Sequence, residues 1–452
     1  MDPAKPYLTG HYAPLVDEAT AFDLPVEGTL PPELSGQLVR NSHNPKPGVT
    51  PTHWWKGSGM VHGVRLHKGR AEWYRNRWVR TPALDGAPYL TESGPDLSAS
   101  TAGTHIIEHA GRLLALCEAN YPFELTRELD TVGAYDFSGK LTTAMTAHPK
   151  QDPVTGELHF FGSSPMPPFL TYHVAASDGE MVLSEQVPGA TAALKHDFAI
   201  TEHHVVFLEM SVTFDHSETS GIPYGWSDEI APRLGVMPRG AGGAARIRWY
   251  DIEPGQALHF ANAYEDTQGR IVVEGPTLDH DGWNLSWNWW AGTGGPRHDE
   301  PVSRSVNRRW VADPATGNVT EALCDDLNVE FPTINEDLLG REHRYQYAIA
   351  FPDERGGNHG VVKYDRHDGT RQILDVGPGV LPSEAVFVPA TGATREDDGY
   401  LLTVTSDLHR NASSLLVLDA SDLHPGPIAT IRLPHRVTAG IHGSWIPEEQ
   451  TA

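Results

Sequence analysis

VVKYDRHDGTRQIL, residues 361–374, reads as two short strands folded back on one another. Val361, Val362 and Tyr364 before the turn, and Ile373 and Leu374 after it, suit a pleated, half-buried surface. Asp368-Gly369 between them supplies the positive φ that a tight hairpin turn requires. The pattern recurs at 64–73 across His67-Lys68-Gly69, at 174–182 across Asp178-Gly179 and at 264–273 across Gln268-Gly269. It returns at 310–322 across Thr316-Gly317 and at 387–404 across Asp398-Gly399. Each is expected to be a hairpin closed by a two-residue turn. No helical periodicity of convincing length interrupts them, which disfavours βαβ units and a parallel sheet. An all-β sandwich, barrel or propeller remains. For 452 residues the propeller is the economical solution, because each blade is a four-stranded sheet.

Composition agrees. With 44 Gly and 36 Pro, the chain carries too many helix breakers for a helical bundle. No WD or kelch signature is present, so the blades are expected to be degenerate repeats. No linker, charge block or low-complexity tract marks a boundary, and a single domain over 1–452 is expected. Two irregular segments rich in Pro, Gly and aromatics, 162–170 and 213–243, read either as cap insertions on one face or as long surface loops.

Against 59 acidic residues stand 34 basic ones, a formal net charge of −25, and the densest short basic pair is Arg308-Arg309. Nucleic acid and anionic membranes would be repelled by such a chain. Two cysteines, Cys117 and Cys324, exclude a disulfide framework and point to a reducing compartment. The start, MDPAKPYLTGHY, lacks an apolar run of signal-peptide length, and nowhere do about 18 apolar residues follow one another. A soluble, cytoplasmic protein is expected, at most peripheral to a membrane.

There are 24 histidines, so accidental quartets are easy to find, and no CxxC or HExxH motif singles out a ligand set. Four stand at the edge of apolar or strand-like runs: His148, His196, His259 and His442, separated by 48, 63 and 183 residues. A propeller brings such distant positions together, because every innermost strand faces the axis. Converging imidazoles there would suit Fe, Cu or Zn. Satisfied core or surface histidines are the competing reading.

The same segments, taken with others, resemble the carotenoid cleavage oxygenase family, which includes apocarotenoid- and stilbene-cleaving dioxygenases and the retinoid isomerase of the vertebrate eye. The resemblance rests on LVRNSHNP at 38–45, HWWKGSGMVHG at 53–63, the four histidine segments, RLGV at 233–236, EFPTIN at 330–335 and PSE at 382–384. These occur in order over nearly the whole chain. The resemblance implies a seven-bladed β-propeller with a loop or helical cap over an axial metal site. It further implies that His148, His196, His259 and His442 hold one Fe(II), and that Glu118, Glu330 and Glu384 brace the ligands. An imidazole bound through one nitrogen donates its other N–H to a carboxylate, which fixes the ring and raises its basicity. Without the family context each Glu would read as a solvated strand-end carboxylate.

What the resemblance implies chemically is an oxidoreductase that splits a C=C bond with O2 into two carbonyls, without an external reductant, organic cofactor or side-chain nucleophile. The substrate implied is a lipophilic polyene, a carotenoid or apocarotenoid, lying in an apolar tunnel. Candidate lining is Phe169, Phe214, Tyr224, Trp226 and Cys117, with the tryptophans of 283–290 either in the tunnel or packed between blades. The apolar stretch 165–170 could touch a membrane transiently. Two departures from the family pattern stand out. Lys56 and Ser58 replace the acidic positions of its HWFDGDGMVH motif. Cys117 stands where phenolic-stilbene cleavers tend to carry Lys. A neutral thiol cannot pair with a phenolate, so stilbenoid or phenylpropanoid cleavage is the alternative reading. Redox-neutral isomerisation and a non-catalytic binding propeller are more distant ones.

Overall fold

Burial sorts the strands into inner, middle and outer. Leu170–Ala175 and Ile271–Leu278 are buried along their whole length, as middle strands covered on both faces must be. Met181–Gln186, Asn318–Leu323 and Thr370–Asp375 alternate half-buried with exposed residues, which is the signature of an outer strand with one face in water. The computed structural model describes residues 5–218, 221–293, 303–354 and 356–448. In it these strands build seven antiparallel sheets arranged as the blades of a propeller.

Blades two to six each run outward from the axis in chain order. Their first strands are His105–His109, Lys150–Gln151, Ala199–Ile200, Asn262–Glu265 and Val329–Thr333. Blades one and seven interlock the two ends of the chain. Gly443–Pro447 is the inner strand of blade one, pairing with Gly36–Arg40, while Val26–Gly28 pairs with Ala429–Arg432 at the outside of blade seven. Closing the ring this way ties both chain ends into the propeller, and the radial arrangement leaves only short outer edges. The hydrophobic core is a set of slabs between blades. Leu208, Val236 and Tyr250 of blade four meet Ile271, Val273 and Trp310 of blade five, and Phe161 and Tyr172 of blade three meet Phe198 and Phe207 of blade four.

All six sequence-predicted hairpins form, but only one has the expected two-residue turn. Lys68 and Gly69, both at positive φ, link the paired residues His67 and Arg70. In two of the others an Asp at the strand end lengthens the loop by accepting backbone N–H groups from within it. The Oδ1 of Asp365 accepts from His367 and Asp368, and that of Asp313 from Ala315 and Thr316. Both loops hold four residues, with Gly369 and Gly317 taking the last, left-handed position. Asp398-Gly399 is not a turn: Gly399 already pairs with Pro389, and the loop lies at 390–398.

The cap also differs in part from expectation. Segment 162–170 is not an insertion, since Ser163 pairs with Leu170 and only 164–169 loop out of blade three. Of 213–243, the beginning forms an accessory hairpin in which Val212–Phe214 pairs with Tyr224–Trp226. Arg233–Pro238 is an ordinary strand of blade four, and 219–220 lie outside the described residues. The largest cap element is an α-helix, His280–Trp290, inserted between the second and third strands of blade five. Its N-cap is Asp279, whose Oδ1 accepts the Gly282 N–H at 2.8 Å. Gly282 and two Asn residues weaken the helical propensity, so the signal is only the cap and the spacing of Trp283, Trp287 and Trp290. Trp283 and Trp287 are buried against Leu194, Val212, Leu258 and Leu278, in the cap and not between blades. No helix among the described residues is long and apolar enough to cross a membrane.

Candidate metal centre

The same end of each inner strand carries a residue that can do chemistry. His148, His196, His259 and His442 stand one to three residues before the inner strands of blades three, four, five and one. Glu330 is the second residue of blade six, and Glu384 lies between the two short strands, Val380–Pro382 and Val386–Pro389, that form the inner edge of blade seven. Glu118 follows the second strand of blade two, Arg112–Leu116.

The four histidines converge, all buried, with one nitrogen of each within 4.8 Å of the others. His148 Nε2 is 3.1 Å from His196 Nε2, and His442 Nε2 is 3.0 Å from His259 Nε2. Three rings lean on carboxylates through Nδ1: His196 on Glu118 at 2.5 Å, His259 on Glu330 at 2.7 Å and His442 on Glu384 at 2.9 Å. A carboxylate accepts, so Nδ1 carries the proton and Nε2 presents a lone pair. Lone pairs facing one another at 3.0 Å repel unless a cation lies between them. Two nitrogens about 2.1 Å from one metal and at right angles to each other would be roughly 3.0 Å apart. The donor set therefore fits a divalent transition metal.

Electrostatics point the same way. Burial, reinforced by the neighbouring imidazoles, holds His148 and His442 well below the ordinary histidine range. Both therefore offer neutral donor atoms at pH 7. Burial also lowers His259, but the charge and hydrogen bond of Glu330, together with the charges of Asp197 and Glu384, outweigh it and the net direction is upward. Burial raises Glu384, against the opposing pull of His105. A dication at the centre would favour the ionised carboxylate.

Local backbone features aim these groups. A register shift in blade six follows Glu330, and Phe331 sits at φ +56. This bulge turns Glu330 Oε2 toward both His259 Nδ1 and the Phe331 N–H. Gly275, in the second strand of blade five, lies under His259. A Cβ there would stand 2.5 Å from the His259 carbonyl oxygen.

The site has members that the sequence did not reveal. His105, at the start of blade two, shares Nδ1 with the carbonyl oxygen of Ala147 at 2.9 Å and lies 5.3 Å, ring to ring, from His442. Trp55 stacks on His196 at 5.4 Å, and Phe331 stacks on His259 at 5.5 Å. Trp55 also touches Trp287 and Trp290, so the cap helix reaches His196 through one ring. Among the expected tunnel residues, Tyr224 and Trp226 join this aromatic cluster and Phe214 packs edge-on against Tyr224. Cys117 accepts a hydrogen bond from Thr101 Oγ1 at 3.0 Å, and burial pushes its thiol up. Phe169 sits in the blade-three loop and is not part of the cluster.

A family model described as retinal pigment epithelial membrane protein matches residues 12–447. A carotenoid cleavage oxygenase of Mycobacterium tuberculosis is 37% identical, with 98% of this chain and 97% of the relative covered. The chain belongs to the carotenoid cleavage oxygenase family. An isoeugenol monooxygenase of Pseudomonas nitroreducens is 30% identical, covering 98% of each chain. Among solved structures, a lignostilbene dioxygenase of Pseudomonas brassicacearum matches with a TM-score of 0.87 at 29% identity over 99% of both chains. A cobalt-substituted apocarotenoid oxygenase of Synechocystis matches with a TM-score of 0.82 at 26% identity, over 96% of this chain and 97% of the other. The protein is accordingly an oxidoreductase of the carotenoid-cleavage dioxygenase type. Its buried four-histidine cluster is consistent with a metal site in that family.

Proposed function

We propose that the oxygenase holds one Fe(II) on His148, His196, His259 and His442, braced by Glu118, Glu330 and Glu384, and cleaves a C=C bond of a carotenoid or apocarotenoid. The observation that carries this reading is the facing of His259 Nε2 and His442 Nε2 at 3.0 Å while both Nδ1 atoms are tied to carboxylates, beside the His148–His196 pair at 3.1 Å. Iron, when bound, supplies the one-electron chemistry that lets O2 react with a closed-shell alkene. Both oxygen atoms end on the two former alkene carbons, so the balance closes without a reductant. The chain's residues orient and enclose. Four ligands leave coordination positions open, Trp55 and Phe331 flank the imidazoles, and the cap tryptophans offer an apolar wall for a rod-like substrate. Substrate would enter from the lipid phase near the blade-three loop, where Met166 is 66% exposed.

Metal analysis of protein purified without added metal is expected to find about one iron per chain. With an apocarotenal it should consume O2 and release two shorter carbonyl products by mass. Absence of iron, or O2-independent products of unchanged carbon count, would overturn the reading. The backbone under His259 gives a second check. Gly275→Ala forces a methyl against that carbonyl, and backbone cannot yield as a flexible side chain would. We expect roughly tenfold weaker metal binding, at the low end of what misplaced ligand support costs, measured by titration with Co(II).

Stilbenoid or phenylpropanoid cleavage is the second reading, favoured by the lignostilbene dioxygenase and isoeugenol monooxygenase relatives. Against it stands Cys117, half-buried and with its thiol pushed toward the neutral form. Cys117→Lys is expected to raise cleavage of a 4-hydroxystilbene by about tenfold or more through a charge-assisted hydrogen bond. Wild-type protein that already prefers phenolic stilbenes to every apocarotenal would decide for the second reading.

A further inference from the structure

We infer that His53 and Trp287 form a hydrogen-bond donor subsite in the cap, which takes a carbonyl oxygen of the substrate and so selects carbonyl-bearing polyenes over their alcohols. The inference rests on the proposed cleavage of an apolar alkene at the neighbouring metal centre and names a feature of the substrate it takes.

His53 is fully buried, and its Nδ1 accepts the Trp55 backbone N–H at 3.1 Å as the cap of a short turn. That bond leaves the ring proton on Nε2. Burial, and then the neighbouring His43 and Lys56, lower the pKa of His53 to about 3, so it does not take up a second proton at working pH. Nε2–H is a donor, and it has no partner. The ring lies 4.6 Å from that of Trp287, whose Nε1–H is likewise buried and unpartnered. Both rings touch Trp55, which stacks on His196. Two unpaired donors thus sit on adjacent rings, a single ring away from a candidate metal ligand.

Leaving a buried donor unpaired is costly, and buried indole N–H groups usually find an acceptor. The buried side chains packed with Trp287, namely Leu194, Val212, Leu258, Leu278 and Trp283, carry no acceptor, and its Nε1–H makes no hydrogen bond. A water between two donors would have nowhere to send its own hydrogens. The chemistry that satisfies two donors is an oxygen with lone pairs and no hydrogen, a ketone or aldehyde. A hydroxyl could accept, but its hydrogen would then be stranded in the same apolar wall.

The test uses the matched pair all-trans-retinal and all-trans-retinol, bound to metal-free protein and followed by quenching of tryptophan fluorescence. Wild type is expected to bind the aldehyde about tenfold more tightly, the size of one or two satisfied buried donors. Trp287→Phe keeps a ring but removes the N–H. His53→Asn keeps an acceptor for the Trp55 N–H but removes Nε2. Each should bring the aldehyde-to-alcohol ratio toward unity, and the ratio is informative even if overall affinity falls. Equal binding of the two ligands by wild type, or variants that keep the preference, would overturn the subsite. Iron-loaded protein that prefers retinal in binding yet cleaves no polyene leaves the subsite standing and removes the cleavage reading instead.

Discussion

Replacing His259 by alanine is expected to strip the protein of metal and to lower alkene cleavage by at least about 10³-fold, the size of losing the several kcal/mol that a bound metal contributes to a polar transition state. The change removes one Nε2 of the four that converge within 4.8 Å. It also weakens the hold on Glu330, whose Oε2 loses the His259 Nδ1–H and keeps only the Phe331 N–H, while its buried Oε1 already lacks a partner. A half-buried carboxylate that loses one of its two donors is destabilised by roughly 1–3 kcal/mol, so the melting temperature should fall modestly as well. Metal content by mass spectrometry and product formation should fall together. Full iron occupancy in the alanine variant would mean that His259 is not a ligand.

Glu384→Ala should weaken metal binding by about 10–100-fold, the usual cost of removing the carboxylate that orients a ligating imidazole. Glu384 is a two-handed support: Oε1 accepts from His442 Nδ1 at 2.9 Å and Oε2 from the Gly443 N–H at 3.0 Å. It fixes both the tautomer of His442 and the backbone that enters blade one. Glu384→Gln keeps one acceptor oxygen but turns its NH2 toward the other donor, so it should recover only part of the loss. Competition between the protein and a chelator for Co(II) ranks the three forms. Equal affinity across them would show that His442 is held by its strand alone. A like result is expected at Glu118 and Glu330, because each meets its imidazole through the same Nδ1 contact.

Much of this molecule was legible in the chain. Val361, Val362 and Asp368-Gly369 announced a hairpin because β-branched residues and a left-handed glycine leave few other solutions. What local chemistry did not reveal was loop length, because Asp365 and Asp313 close their turns from the strand ends through Asx bonds that the Gly alone does not betray. The cap helix was missed for a related reason. Its propensity is poor, and it is held by burial of Trp283 and Trp287 against residues from three other segments. His148, His196, His259 and His442, with Glu118, Glu330 and Glu384, were named through family motifs, since spacings of 48 to 183 residues specify nothing by themselves.

By itself, then, the sequence determined an acidic, helix-poor chain of hairpins, because strand propensity and turn chemistry act over a few residues. Only the tertiary structure decided that His105, Trp55 and Phe331 belong beside the four histidines, with His53 one ring further out. Ring closure places the entrances of seven inner strands around one axis, and the side chains that meet there are distant along the chain. The same closure buries the site, and it is this burial that keeps His148 and His442 neutral, leaves the cap donors without partners, and makes their geometry matter.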